Sequence, residues 1–179
     1  MRSADAVTLF RIALLAAVIY LITVASSAIA ILLLIALLFA LDWVDGFLAA
    51  REGKAPPKYG AYLDIAVDRI IEYAFWLLFT LLQILPWYVI AIIFVRNTIA
   101  DYLVVGKGKT FGKMRTGFGR IASSHVSRGA YAVLKAVNFA YLALVAVAGW
   151  PLTIGYALTA AVVAFSLLRG ASEIYEALL

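Results

Sequence analysis

Residues 12–41, 73–95 and 136–168 contain no Asp, Glu, Lys or Arg. A helix needs about 20 apolar residues to cross the hydrocarbon core of a bilayer, and each of these stretches is long enough. The 179-residue chain is 66% hydrophobic and 14% charged, with a mean hydropathy of +1.02. Soluble domains carry about a quarter charged residues, so an ordinary soluble fold is excluded. Hydrocarbon offers the backbone no hydrogen-bond partners, and a helix supplies them internally. The chain therefore reads as an all-α integral membrane protein, with residues 1–179 forming a single domain.

Each stretch is interrupted by a turn signal: Ala25-Ser26-Ser27-Ala28, Leu85-Pro86-Trp87 and Gly149-Trp150-Pro151. Proline suits the first turn of a new helix, and tryptophan suits a membrane–water boundary. The expectation is six transmembrane helices near 7–25, 28–50, 61–84, 87–105, 126–148 and 151–176, paired as three hairpins. Arg2, a short apolar core and Ala28-Ile29-Ala30 imitate a cleavable leader. The apolar run continues beyond them, and the segment is kept as a span.

The hairpin turns carry no charge, whereas Arg51, Lys54 and Lys58 share one connecting loop. Lys107, Lys109, Lys113, Arg115, Arg120 and Arg128 lie in or beside the other, and Arg2 and Arg169 lie near the termini. Basic residues mark the cytoplasmic side, so both loops and both termini are expected in the cytoplasm of a cell-membrane protein. There is no cysteine, which removes thiol chemistry, and the single His125 cannot support a histidine-rich metal site.

Against this background stand four aspartates in the segment DWVDGFLAAREGKAPPKYGAYLDIAVDR. Asp42 and Asp45 are three apart, with Gly46 next; Asp64 and Asp68 are four apart, with Gly60 before them. Those spacings put each pair on one helix face. Carboxylates bordering hydrocarbon are costly and point to function. Two helices that each present two carboxylates can cage hard divalent cations, for which oxygen-only ligands favour Mg²⁺, with Mn²⁺ and Ca²⁺ as further candidates. Such an ion offsets pyrophosphate charge as a Lewis acid. Gly46 leaves backbone room beside it, and Gly60 opens the next helix. Glu72 continues the face of Asp68 and reads as a buried partner of Arg69, with a supporting role at the site as the alternative.

This segment resembles the signature of the CDP-alcohol phosphotransferase (CDP-alcohol phosphatidyltransferase) family. Asp42, Asp45, Gly46, Ala49, Gly60, Asp64 and Asp68 match its fixed positions. Ala50 stands where the signature has arginine, Arg51 follows one place later, and the spacer to Gly60 is longer by one. One residue turns a helical side chain by about 100°. Upstream, Asp5-Ala6-Val7-Thr8-Leu9-Phe10-Arg11 is similar to the family's Asn-x-x-Thr-x-x-Arg run, with Asp5 in place of Asn. The resemblance implies six helices and transfer of a phosphatidyl-type group from a CDP-linked lipid to an alcohol, with release of CMP. It implies Asp42, Asp45, Asp64 and Asp68 as metal ligands and Asp68 also as general base. Thr8, Arg11, Gly46, Ala49, Arg51 and Gly60 would contact the CDP-linked substrate. A homodimer is implied as well.

The acceptor is addressed by cations. Arg96, followed by Asn97, falls inside a predicted span, where a charge wants a partner or a phosphate. Gly106-Lys107-Gly108-Lys109-Thr110-Phe111-Gly112-Lys113-Met114-Arg115 joins glycine to cations that can gather around an anion. The family's glycerol-phosphate users resemble this chain in a Gly-Lys-x-Lys-Thr run, while its inositol-phosphate users place arginines in the following loop and helix. Arg96, Lys107, Lys109, Lys113, Arg115 and Arg120 are therefore candidate acceptor-binding residues, and a phosphorylated polyol is favoured over serine. Basic juxtamembrane loops also serve topology and headgroup attraction. No nucleic-acid partner is expected; the partners are membrane lipids, the CDP-linked lipid and the alcohol. A cation- or proton-coupled transporter and a non-catalytic lipid-binding scaffold are the rival readings. Clustering of the acids at one face, without a relay across the membrane, weighs against transport.

Overall fold

The computed structural model describes residues 3–51, 58–106 and 124–178. Side chains within residues 3–6, 8, 43–51, 58–65, 103–106, 125, 173 and 176–178 lie outside the description. The described chain is all-helical: α1 (Ser3–Thr23), α2 (Ala28–Arg51), α3 (Lys58–Leu81), α4 (Trp87–Gly106), α5 (His125–Ala148) and α6 (Leu152–Leu178). The predicted hairpin turns fall where expected, and Pro86 and Pro151 each stand one residue before a helix begins. Among the described residues, two helical segments are long and apolar enough to cross a membrane, Val126–Ala148 and Leu152–Ser172. Shorter apolar segments occupy Leu9–Thr23 and Ala28–Asp42.

Local chemistry sets the helix ends. α1 stops because Ala25 enters the left-handed region (φ 49°). There the Ser26 amide donates to Leu21 O at 2.9 Å and the Ala25 amide to Ile22 O at 3.1 Å, the paired bonds of a Schellman cap. α3 ends in the same way at Gln83 (φ 58°), with Ile84 N donating to Phe79 O at 2.9 Å and Gln83 N to Thr80 O at 3.0 Å. Gly149 (φ 67°) performs the turn after α5, where glycine carries no steric penalty. Ser124 caps α5: its Oγ accepts from Ser127 N at 3.1 Å.

The helices pack as two compact units. The first contains residues 1–84 and 139–150. In it α1 packs against both α2 and α3. The buried positions Leu14, Leu15, Val18 and Ile22 recur at helical spacing on α1, as do Ile31, Ile35 and Leu38 on α2. On α3 they are Val67, Ile71, Phe75 and Phe79. Phe139 fills the aromatic centre, 4.7 Å from the Phe75 ring and edge-on to Trp76 at 4.8 Å. The second unit contains residues 85–138 and 151–179, and in it α4 packs against α6. Val89, Ile93, Asn97 and Ala100 are the buried positions of α4, and Gly155, Thr159, Val162, Ser166 and Gly170 are buried on α6, with Ser166 and Gly170 meeting Arg96 of α4. Small side chains let helices approach closely in an apolar medium, where packing rather than water exclusion drives association. Thr159 Oγ1 donates to Asn138 Oδ1 at 3.1 Å, joining α6 to α5 inside this unit.

Two stability outcomes are expected. Phe139→Ala should cost about 3 kcal/mol or more, because its neighbours cannot refill the space. Ala25→Gly should raise the unfolding free energy by about 0.5–1 kcal/mol by relieving the left-handed residue. The same exchange at the exposed helical Ala17 should lower it by about 1 kcal/mol. Unfolding midpoints in detergent check all three; an Ala25→Gly protein no more stable than the parent would contradict the cap assignment.

Candidate active site

The first unit ends in a polar cluster, and its construction follows from the three buried stripes. On α1 the stripe runs Ile22, Val18, Leu14 and arrives at Arg11, which is 3% exposed. On α2 it runs Ile31, Ile35, Leu38 and arrives four residues later at Asp42. On α3 it runs Phe79, Phe75, Ile71 and arrives at Asp68. The chain reverses between α1 and α2 and again between α2 and α3, so all three stripes reach their polar residue at the same end.

There Arg11 Nη2 lies 2.9 Å from Asp42 Oδ1 and 2.7 Å from Asp68 Oδ1. One nitrogen thus joins the carboxylates of both halves of the aspartate motif. The two acids are more open than the cation between them: their side chains are 37% and 42% exposed. One turn further along α3, Arg69 Nη1 donates to Glu72 Oε2 at 3.1 Å, the pairing that the spacing suggested, and Glu72 is buried.

Asp42 and Asp68 bring carboxylate oxygens from two helices onto one guanidinium nitrogen, and oxygen-only donors are of the kind that hard cations such as Mg²⁺ or Mn²⁺ take. Asp45 and Asp64 lie on α2 and α3, but their side chains are outside the description, as is that of Thr8. Among the described residues no group of three or more His, Cys, Asp or Glu gathers as a metal cluster. Gly46, Ala49 and Arg51 occupy the last turns of α2 and Gly60 the first turn of α3. Lys107, Lys109, Lys113, Arg115 and Arg120 lie outside the described residues.

The chain matches the CDP-alcohol phosphatidyltransferase family over residues 1–168. It belongs to that family. Members transfer a phosphoryl-linked group from a CDP-alcohol to a second alcohol, so this chain belongs among the transferases. With its apolar helices it is a membrane protein. The match runs through residues of both compact units. No curated protein matches the chain.

In the second unit, Arg96 is partly buried on α4. Its Nε donates to the Ser166 carbonyl at 3.0 Å and its Nη1 to Asn97 Oδ1 at 2.9 Å. Gly170 makes room for it, since a Cβ there would stand 2.6 Å from Arg96 Nε and 3.0 Å from its Cγ. Lys135 Nζ and the Arg169 guanidinium each lie 5.3 Å from the centre of the Tyr131 ring, which stacks on Phe165 at 5.7 Å.

Two of these contacts are not readable from sequence. The family resemblance places Arg11 on substrate, whereas its bridge to the aspartates joins residues 57 positions apart. The available signal is its register: Arg11 shares a helical face with Leu14, Leu15 and Val18. The Gly170–Arg96 fit has no local signal at all, because it depends on which helix faces α4.

Arg96 and Gly170 should behave as a coupled pair. Gly170→Ala should displace the guanidinium and cost about 1–3 kcal/mol. In an Arg96→Ala background the same exchange should be nearly neutral. A double-mutant cycle on unfolding midpoints measures the coupling; additive effects would show that the close approach carries no energy.

Proposed function

We propose that this protein is a phospholipid-synthesis enzyme of the cell membrane. It would move a phosphatidyl-type group from a CDP-linked lipid to a hydroxyl of a phosphorylated polyol, such as a glycerol or inositol phosphate. All six helices would span the bilayer, with both termini and the aspartate site on the cytoplasmic side. Residues 1–179 would act as one domain, assembled as a homodimer.

The observation that carries this reading is the convergence of Asp42 and Asp68 on one cationic nitrogen, where the buried apolar stripes of three helices end. With those helices in a bilayer, the carboxylates would border hydrocarbon, where a headgroup would meet them while its tails remain in lipid. Asp42, Asp45, Asp64 and Asp68 would hold Mg²⁺ or Mn²⁺. The bound ion supplies Lewis-acid neutralisation of the pyrophosphate. Thr8, Arg11, Gly46, Ala49, Arg51 and Gly60 would border the CDP-linked substrate. Asp68 would accept the proton as the acceptor oxygen bonds to the lipid-side phosphorus. The bond from that phosphorus to the bridging oxygen breaks, and CMP leaves with the oxygen. Arg96, Lys107, Lys109, Lys113, Arg115 and Arg120 would hold the acceptor's phosphate, for which arginine and lysine are suited donors.

The test is CMP release by purified protein given Mg²⁺, a CDP-linked lipid and, in turn, glycerol 3-phosphate, inositol 1-phosphate, serine and inositol. Release should depend on a phosphorylated acceptor, stop with a chelator and return with Mn²⁺. Asp68→Asn should lower it by about 100-fold or more. Turnover with serine alone would replace the acceptor proposed here. No CMP from any acceptor, with the protein folded, would favour the scaffold or transport readings.

A further inference from the structure

We propose that Arg11 is a resident counter-cation of the aspartate site. It holds the α2 and α3 carboxylates together when no divalent ion is bound, and it weakens the site's affinity for that ion. The inference rests on the reading that these aspartates bind a divalent metal.

The geometry sets Arg11 behind the carboxylates rather than in front of them. Its side chain is 3% exposed, whereas those of Asp42 and Asp68 are 37% and 42% exposed. The guanidinium therefore approaches from the packed interior of α1, α2 and α3, and the acids are the partners that solvent reaches. An ion arriving from solvent would meet the same carboxylates, so two cations would come to share one pair of ligands.

Two electrostatic consequences follow. Without a metal, the carboxylates that α2 and α3 bring together repel one another, and the site needs positive charge to stay assembled. Arg11 supplies it with one nitrogen bonded to both helices. With a metal, a fixed positive charge within a few ångströms disfavours the incoming one. At the effective dielectric of a partly exposed site this repulsion amounts to about tenfold or more in the binding constant. Linkage ties the two effects together: the change in metal affinity on replacing the guanidinium equals the difference between the stability changes measured with and without the ion. Arg11 is in this sense a positioning residue, and it lets the fold survive loss of the ion.

The experiment compares wild type, Arg11→Gln and Arg11→Lys in detergent. Mn²⁺ affinity is measured by titration calorimetry, and unfolding midpoints are measured in chelator and in saturating Mn²⁺. Arg11→Gln should bind Mn²⁺ about tenfold or more tightly. Its midpoint should fall below wild type in chelator, and the gap should narrow in Mn²⁺. Arg11→Lys keeps the charge and should bind within about threefold of wild type. Equal or weaker Mn²⁺ binding by Arg11→Gln overturns the proposal. So does an equal midpoint deficit with and without the ion, which is the mark of a merely structural residue. An Arg11→Gln protein that stays unfolded even when prepared in Mn²⁺ also overturns it, because the ion should replace the guanidinium. Absence of Mn²⁺ binding by all three proteins would overturn the metal reading itself; binding with unchanged affinity removes only the present inference.

Discussion

A guanidinium buried among apolar helices must find negative charge within reach, because no arrangement of methyl groups replaces the water it has left. Arg11 meets that requirement with two acids from two other helices. The requirement propagates outward. Arg11 can reach Asp42 and Asp68 only if α1 lies against both α2 and α3, and only if the helices alternate in direction. The aliphatic and aromatic residues behind it, from Leu14 to Ile22 and from Ile71 to Phe79, then fall into one core. Moving Arg11 by one position would swing its charge about 100° away from the stripe and leave both carboxylates without it.

The second unit shows a different solution to the same problem. Arg96 is held by a main-chain carbonyl and a neighbouring amide side chain. A carbonyl oxygen turned toward a guanidinium stabilises it through the negative end of its dipole. The two arginines look alike in sequence, each embedded in an apolar helix, yet Arg11 meets carboxylates from two other helices while Arg96 meets a main-chain carbonyl of α6 and the neighbouring Asn97.

What sequence reveals here follows the range of the forces involved. Helix positions were legible because lack of charge over 20 or more residues has one physical meaning next to a membrane. Turn positions were legible from Pro86, Pro151 and the polar pair Ser26-Ser27. The residue adopting the left-handed cap was not, since Ala25 and Gln83 do what glycine usually does and rely on backbone bonds to offset the strain. The pairing of Arg69 with Glu72 was legible, being one helical turn long. Arg11 with Asp42 and Asp68 was not, because it exists only after three helices have docked. The aspartates stood out as a candidate site from their spacing; the counter-charge on Asp42 and Asp68 was recognisable only in three dimensions.

The capped turns have a bearing on how such a chain enters a membrane. A helical hairpin inserts by carrying its connecting turn through hydrocarbon, and each unmet backbone amide raises the barrier. After α1, the amides of Ala25 and Ser26 are already bonded to carbonyls of the helix they leave, and no charged residue lies in the turn. The α3 turn has the same property at Gln83 and Ile84. In each turn these two amides leave the helix already bonded to it, so the cap removes two of the unmet donors that would otherwise face hydrocarbon.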